Sequence, residues 1–323
     1  MDKSKEISFS QISSYKSCKF KWYYNNILRI ESRRLRPTIS FGSCGHKILE
    51  AHYRGKDIEE AAIKWQKDMV SSSEYWFEEE IEDMKVLADN ALKSVKHYLL
   101  YHPEDRDWVV LDVEKEYKVV VEGMSGIVVH GFFDVVIREN KDSKNIWIVE
   151  HKFPTSLKSE DNLDLIQQLK MYDWAARKVY QKQGSVKGCI YNQILGKAPS
   201  EPTINKNGSM SRADIATTWE VYCDALIKAG LNPVDYMEME EKLRQKTFWQ
   251  RNKILTTDVE RRNFVVDLKS VIWEMNKKGN HMFGAYSFIC DGCEFRELCI
   301  EHLKGGDIEF IIENSYRKRQ ARK

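Results

Sequence analysis

A short apolar run ends in Glu150-His151-Lys152, which sets an acid and an amine two residues apart. Side chains of an extended strand alternate, so Glu150 and Lys152 project from one face and His151 from the other. Ile146 and Ile148 share the face of Glu150. Such a pair can be a plain ion pair, or it can do chemistry if a second acid stands beside it. Asp134 is the candidate. It closes Gly131-Phe132-Phe133-Asp134 and is followed by Val135 and Val136. A carboxylate in that setting is costly to bury alone and calls for a cation, a proton or a cleft open to solvent. Two further signals flank the acids. Gly42-Ser43-Cys44-Gly45-His46 stands at the start of a helix, and Gln168 and Tyr172 lie one turn apart on another. Taken alone, His46 reads as a surface or satisfied core histidine and Tyr172 as a partly buried tyrosine.

Together these groups have a common logic. Hydrolysis of a phosphodiester needs a divalent metal to activate water and offset developing charge. Hard Mg²⁺ or Mn²⁺ prefers carboxylate, carbonyl and water oxygens. Asp134 and Glu150 can supply carboxylates, and the backbone carbonyl of His151 can face the same ion. Lys152 can orient water or stabilise negative charge. His46 can complete the set, which favours Mn²⁺ somewhat over Mg²⁺.

The elements that must position these residues are legible as texture. The first hundred residues read mainly as helices, with a short one over Gly45 to Arg54 and helical periodicity over Ile58 to Met69 and Val86 to Leu100. Strands are predicted over Val109 to Val121, Ile127 to Ile137, Asn145 to Lys152 and Ser185 to Leu195. The third is apolar on both faces, as in a central strand covered on each side. Asp161 to Gln181 reads as one amphipathic helix with Asp161 as its N-cap. Strand, strand, strand, helix, strand implies an α/β core with a mixed sheet. Pro199 to Ser211 is the best loop candidate, and helix resumes from Ala213 to about Lys278.

Composition bounds the rest. The 323 residues are 42% hydrophobic and 31% charged, an ordinary globular mixture that excludes wholesale disorder. No apolar run approaches the roughly 20 residues that cross a bilayer. The start, MDKSKEISFSQ, has no apolar signal region, so a reducing cytosol is expected. Charge is nearly balanced at net +2, so basic character is local: Arg29, Arg33, Arg34 and Arg36 form one cluster, and residues 317–323 carry five positive charges. Glu74 to Asp83 is acidic; a solvated helix face is the plain reading, a partner surface the sharper one.

Seven cysteines in a reducing compartment point to metal ligands or buried thiols rather than disulfides. Cys290, Cys293 and Cys299 are a local triple, with Gly292 in the turn between the first two. With His302 they can form a local zinc site, which leaves Cys18 idle. Cys44, Cys189 and Cys223 read as small buried hydrophobes.

In order and approximate spacing, His46 with its glycines, Gly131-x2-Asp134, Glu150-x-Lys152 and Gln168-x3-Tyr172 resemble the PD-(D/E)XK nuclease superfamily in its RecB-like branch. The resemblance covers Ser8 to Lys56, Trp108 to Leu195 and Ser287 to Leu303. It implies a restriction-endonuclease-like core, a central mixed β-sheet flanked by helices, with helical additions at both chain ends joined by a metal cluster. It implies His46, Asp134, Glu150 and the His151 carbonyl as metal ligands, and Lys152 as catalytic with the two acids. Gln168 and Tyr172 would contact or position DNA. It also implies a 4Fe–4S cluster on Cys18, Cys290, Cys293 and Cys299, as in nucleases of the AddB and CRISPR-adaptation type; zinc is the alternative. The cluster would close a loop of more than 270 residues.

The expected organisation is a helical region over 1–107, a nuclease core over 108–198, an insert and helices over 199–282, and a cluster region with a basic tail over 283–323. The Pro202 to Tyr222 stretch resembles an insert of phage-encoded members; it either covers the strand exit or is a solvated loop. The expected activity is exonuclease cleavage of single-stranded DNA or duplex ends, in recombination, repair or phage DNA metabolism. Lys21, Trp22, Tyr23, Tyr24 and the Arg29 to Arg36 cluster would form a binding track, with packing against the cluster as the other reading of the aromatics. Helicase, single-strand-binding and recombination proteins are possible partners. A non-cleaving DNA-binding or adaptor subunit is the alternative class, which intact Asp134, Glu150 and Lys152 disfavour. No P-loop pattern occurs. The roles of Glu50, Glu114 and Glu116 stay open.

Overall fold

The structure is a computed structural model that describes residues 5–33, 37–72, 77–100, 102–277 and 284–319. Arg34, Arg36, residues 74–76 of the acidic run, Lys278, Phe283 and the tail beyond 319 lie outside the described residues. The chain opens with β1 (Lys5–Ser8), α1 (Phe9–Ser17), α2 (Lys19–Trp22), a π-turn over Tyr23–Ile27 and β2 (Ile30–Ser32). Helices α3 (Pro37–Tyr53), α4 (Ile58–Ser71) and α5 (Glu78–Leu100) follow. Then come β3 (Val109–Val120), β4 (Ile127–Arg138), β5 (Asn145–Lys152), a 3₁₀ turn over Glu160–Leu165, α6 (Gln167–Val179) and β6 (Ser185–Ile194). Beyond these lie α7 (Trp219–Lys228), α8 (Met237–Leu243), β7 (Trp249–Leu255), α9 (Asp258–Asn276), α10 (Arg296–Lys304), α11 (Ile308–Ser315) and β8 (Tyr316–Lys318).

The main sheet runs β1-β4-β5-β6-β7, with β3 on the other edge of β4. It is mixed: β1 pairs parallel with β4 and β5 parallel with β6, and the remaining pairs are antiparallel. β1 and β5 share one edge of β4. The ladder to β1 ends at Ser8↔His130, and the ladder to β5 begins at Val135↔Val149. β5 runs on beyond Val149 paired with β6 alone, through Glu150↔Tyr191 and Lys152↔Gln193. The two central strands therefore part at Asp134 and Glu150, and a fork opens there.

Helices cover both faces, which is why β5 is apolar on both sides from Ile146 to Val149. On one face α1, α6 and α9 pack around Phe133, Ile148, Met171, Tyr172 and Ile272. On the other, α3, α4 and α5 bury Ile48, Leu49, Trp65 and Tyr98 with Phe153 and Ile194. The aromatic trio Tyr117, Phe133 and Tyr172, with centroids 4.5 to 6.1 Å apart, adds about 0.5–1.5 kcal/mol per pair beyond area burial.

Four elements differ from the sequence expectation. The helix predicted over 161–181 is split: Leu163 buries within the 3₁₀ turn, Ile166 is extended, and α6 starts at Gln167, so Asp161 is not its N-cap. The helix before His46 begins eight residues earlier, at Pro37, whose fixed φ suits a first turn. β1 and β7 were both read as helical territory. Each is an edge strand whose pairing, not its own pattern, decides its state. The helix expected from Ala213 to about Lys278 is also divided, into α7, α8, β7 and α9. Met210, Trp219, Tyr222, Leu226, Tyr236 and Leu243 form a small core of their own, which anchors the end of the irregular segment before α7.

The chain ends meet in a second sheet, where β2 and β8 pair antiparallel and Arg317 reaches Glu31 at 2.9 Å. Arg33 donates to the carbonyls of Tyr316 and Glu313.

Candidate active site

The fork collects the predicted residues. The backbone N–H of His151 donates to Asp134 Oδ2 at 2.9 Å across the gap between β4 and β5. His46 Nδ1 lies 3.5 Å from the same oxygen. Lys152 Nζ is ion-paired with Glu150 Oε1, while Glu150 Oε2 is buried with no hydrogen-bond partner among the described residues. Glu150 is 1% exposed, Asp134 14%, His46 30% and Lys152 35%. The acids thus sit at the floor of the fork, and His46 and Lys152 line its opening to solvent.

Electrostatics follow from that depth. Burial pushes the Asp134 carboxyl up to about 7, against the pull of the His151 N–H and Lys152, with Glu114 adding to the rise. Burial and then the neighbouring Asp134 push Glu150 up to about 7 as well. Burial works against the Lys152 ammonium, but Glu150 and Asp134 leave it above the usual lysine value. Two acids that resist ionising together, one with an orphaned oxygen, are a low-dielectric cradle that a cation would complete.

The His46 position has a steric origin. A Cβ on Gly45 would stand 2.3 Å from the Phe153 ring, so only glycine lets α3 approach the end of β5 this closely. His46 then packs edge-on against Phe153 at 5.6 Å. Gly42 of the same motif faces open space. Gly131 is held to glycine by the Tyr117 hydroxyl, 2.6 Å from where its Cβ would be.

Gln168 Nε2 donates to the Tyr172 hydroxyl at 2.9 Å. Tyr172 is 6% exposed, and its phenol is raised well above its ordinary value by burial and by the charges of Glu150 and Asp134. The pair therefore lies against the acids. The imidazole of His151 points to the opposite face, stacked on Tyr53 at 5.7 Å, and burial holds it neutral. A buried network stands behind it. Arg251 of β7 grips Asp105 through both carboxylate oxygens, donates to Asn192 Oδ1 at 2.7 Å and reaches the Tyr98 hydroxyl.

Glu114, left undecided by sequence, joins the site: His46, Glu114 and Asp134 each bring a ligand atom within 4.8 Å of the others. Its signal was hidden, because Asp112, Glu114 and Glu116 alternate along β3 and nothing in the sequence singles out one of them. Glu116 instead faces Lys118 at 3.6 Å. Glu50 is engaged by Lys47 and Arg54.

A family model described as the PD-(D/E)XK nuclease superfamily matches residues 6–300. The chain belongs to the PD-(D/E)XK nuclease superfamily. PD-(D/E)XK nucleases use divalent metals, and the acids and His46 of this one fit such an ion: Glu150 carries the orphaned oxygen, and the donors are carboxylates with one imidazole, the set that Mg²⁺ and Mn²⁺ accept. No curated protein matches the chain. Among solved structures it is similar to one from Eubacterium rectale described as a proposed exonuclease, with 12% identity, TM-score 0.40, and coverage of 80% of this chain and 88% of that one. It is also similar to SSO0001, with 12% identity, TM-score 0.30, and coverage of 87% and 93%. No helix among the described residues of this PD-(D/E)XK nuclease is long and apolar enough to cross a membrane.

The cysteines separate into two kinds. Cys44 and Cys189 are buried, Cys44 with its thiol pushed up to about 12 by burial, and Cys223 packs against the small core of the 199–282 stretch. Cys18, Cys293 and Cys299 border a cluster of Phe20, Tyr24, Ile30, Phe295, Leu298 and Tyr316. The Cys299 thiol is raised by burial and then by Cys18, Cys290 and Cys293. Among the described residues no three of these thiols come within 4.8 Å of one another. A single zinc with Zn–S near 2.3 Å requires sulfurs roughly 3.8 Å apart. His302 Nδ1 faces the Tyr24 hydroxyl at 3.2 Å.

One expectation is corrected here. Trp22, at 6% exposure, and Tyr24, at 0%, are core residues and cannot stack on bases. Helix α2 turns its aromatic side inward against α1 and the cysteine region, so the alternative reading of those rings, packing, holds. Arg33 is likewise committed to the β2–β8 sheet.

Proposed function

We propose that this nuclease is a metal-dependent deoxyribonuclease of the RecB-like branch, an exonuclease on single-stranded DNA or duplex ends. The observation that carries the reading is the fork itself: Asp134 and Glu150 face each other where two strands part, beside a lysine and a histidine that reach solvent. Asp134, Glu150, the His151 carbonyl and His46 would hold the cation. A bound divalent ion supplies water activation and charge neutralisation at the scissile phosphate. Lys152 holds positive charge at the mouth, where it orients the attacking water and stabilises the charge that develops on the phosphate. Asp134 and Glu150 would hold the cation as carboxylates, so they must be ionised for turnover. Gln168 fixes the Tyr172 hydroxyl beside them and positions the strand. The domain division 1–107, 108–198, 199–282 and 283–323 belongs to the same proposal, with β7 and α9 lending the core a strand and a helix from the third segment.

The thiols of Cys18, Cys290, Cys293 and Cys299 would hold a 4Fe–4S cluster. One feature supports a shared cluster over a local zinc site: Cys18 borders the same core as Cys293 and Cys299 and acts on the Cys299 thiol, so it does not stand idle. The cluster's work would be to fasten the chain ends, where β2 and β8 already meet.

Anaerobically purified protein, given 5′- and 3′-end-labelled single strands and duplexes with Mn²⁺, should release short products from one end. Removal of the ion by EDTA should stop release. Binding without cleavage under every metal would support the adaptor class instead.

A further inference from the structure

A row of polar side chains crosses the sheet on the face away from the acids. In register it runs His151 of β5, Asn192 of β6 and Arg251 of β7, one residue per strand. His151 and Asn192 are both buried. Asp105 closes the row and accepts from Arg251 at 2.7 and 2.9 Å. A buried Arg–Asp pair is weak evidence of stability, since apolar side chains of equal volume often do as well. Here the pair fixes the orientation of its neighbours.

A guanidinium has donors only, so Asn192 must turn its carbonyl Oδ1 to Arg251 Nε, which donates to it at 2.7 Å. The amide Nδ2 then faces the other way, where it donates to the Tyr98 hydroxyl at 2.8 Å and lies 3.4 Å from His151 Nδ1. Nδ1 must therefore accept, which places the ring proton on Nε2. Nε2 has no hydrogen-bond partner among the described residues, so the choice of tautomer falls to Asn192. Tyr53 stacks on the ring at 5.7 Å, and Tyr98 meets it edge-on at 6.3 Å. The imidazole is held in one place and one orientation.

We infer that Asn192 and Arg251 are positioning residues for the nuclease reaction: they lock the His151 ring and, through it, the 151 peptide. That peptide needs a lock. Beyond Val149 strand β5 has only β6 beside it, and the His151 N–H is turned to Asp134 instead of a β4 carbonyl. A twist of this peptide would move Asp134 and the acid that precedes it, Glu150, relative to each other. The inference rests on the metal-dependent reading above. It adds two residues behind the site, one of them on a strand from the 199–282 segment.

Asn192→Asp tests this, because it keeps the shape and the bond from Arg251 but turns a second acceptor towards Nδ1. Nitrogen NMR of histidine-labelled, metal-free protein should show the His151 proton on Nε2 in wild type and on Nδ1 in the variant. With Mn²⁺ and an end-labelled single strand, the variant should lose about 10–100-fold in kcat and in Mn²⁺ affinity, with KM little changed. A merely structural role would lower the melting temperature and leave both the tautomer and the rate per folded molecule alone. Arg251→Lys should recover part of the rate that Arg251→Met loses. A wild-type proton on Nδ1 overturns the inference, as does anything less than both changes in Asn192→Asp. If that variant does not fold, the wild-type spectrum and the Arg251→Lys rate decide. Failure of the nuclease reading looks different: wild type itself then binds no Mn²⁺ and cuts no strand, and both readings fall together.

Discussion

The N–H of His151 reaches Asp134 Oδ2 at 2.9 Å across the point where β4 and β5 separate. That bond joins the second acid of the site to the strand that carries the first. It exists because β5 has left the β4 ladder by residue 150, which frees a backbone donor that would otherwise be spent on the sheet. The same separation admits solvent to Lys152 and keeps Glu150 at the floor.

Lys152→Ala should lower cleavage by about 10²–10³-fold, the cost of one charge stabiliser aimed at a developing negative charge. Mn²⁺ affinity should be retained, because the carboxylates remain. Single-turnover rates alongside calorimetry check both halves. An unchanged rate would remove Lys152 from the chemistry.

The two acids impose a pH dependence whose sign is fixed. Both have folded pKa values near about 7, above their ordinary 3.8 and 4.5. The folded state therefore holds its protons more tightly than the unfolded chain. The associated stability is complete at low pH and is lost as pH rises through 7. Metal-free protein should melt at a lower temperature at pH 8 than at pH 5.5, and Mn²⁺ should raise the melting temperature more at pH 8. Glu150→Gln should flatten the metal-free trend. Thermal melts across that range, with and without Mn²⁺, suffice.

Gly45→Ala should displace α3, because the new methyl would meet the Phe153 ring. A destabilisation of about 1–3 kcal/mol is the usual cost of such overpacking. Weaker Mn²⁺ binding should accompany it as His46 moves. Gly42→Ala, three residues earlier with nothing near its Cβ, should be neutral or stabilising by up to about 1 kcal/mol. Denaturant unfolding of the two variants separates a packing role from mere helix propensity.

These glycines show what the sequence could and could not reveal. The Gly-x3-His spacing marks the right segment, but the steric contact belongs to Gly45, which depends on where β5 ends. Asp134, Glu150 and Lys152 were legible because an acid in an apolar strand is anomalous on its face. Glu114 was not, since Glu116 on the same strand has equal chemistry and only the pairing with β4 separates them. β1 and β7 were missed for the same reason: edge strands take their conformation from a neighbour. Aromatic residues 22 and 24 looked like a nucleic-acid platform because composition cannot say which way a short helix faces.

Arg251→Met should cost about 3–5 kcal/mol, since it strands Asp105, 5% exposed, without its bidentate partner. Asp105→Asn combined with Arg251→Met should cost less than the sum. A double-mutant cycle by denaturant unfolding measures that coupling. Additivity would show that the buried network behind His151 contributes nothing as a unit.

Cys18→Ser should lose bound iron and the visible absorption of a thiolate cluster, and the chain ends should become more open to proteolysis. Metal analysis after anaerobic purification checks this. Zinc retained in full by the variant would favour Cys290, Cys293, Cys299 and His302 instead.

The most direct test of the nuclease site is Glu150→Gln, which preserves shape and removes the charge at the floor of the fork. With Mn²⁺ and an end-labelled oligonucleotide, a variant that melts as a folded protein should show no cleavage above background while wild type digests the strand. Digestion by the variant at the wild-type rate would contradict the assignment of Asp134, Glu150 and Lys152 as the catalytic centre.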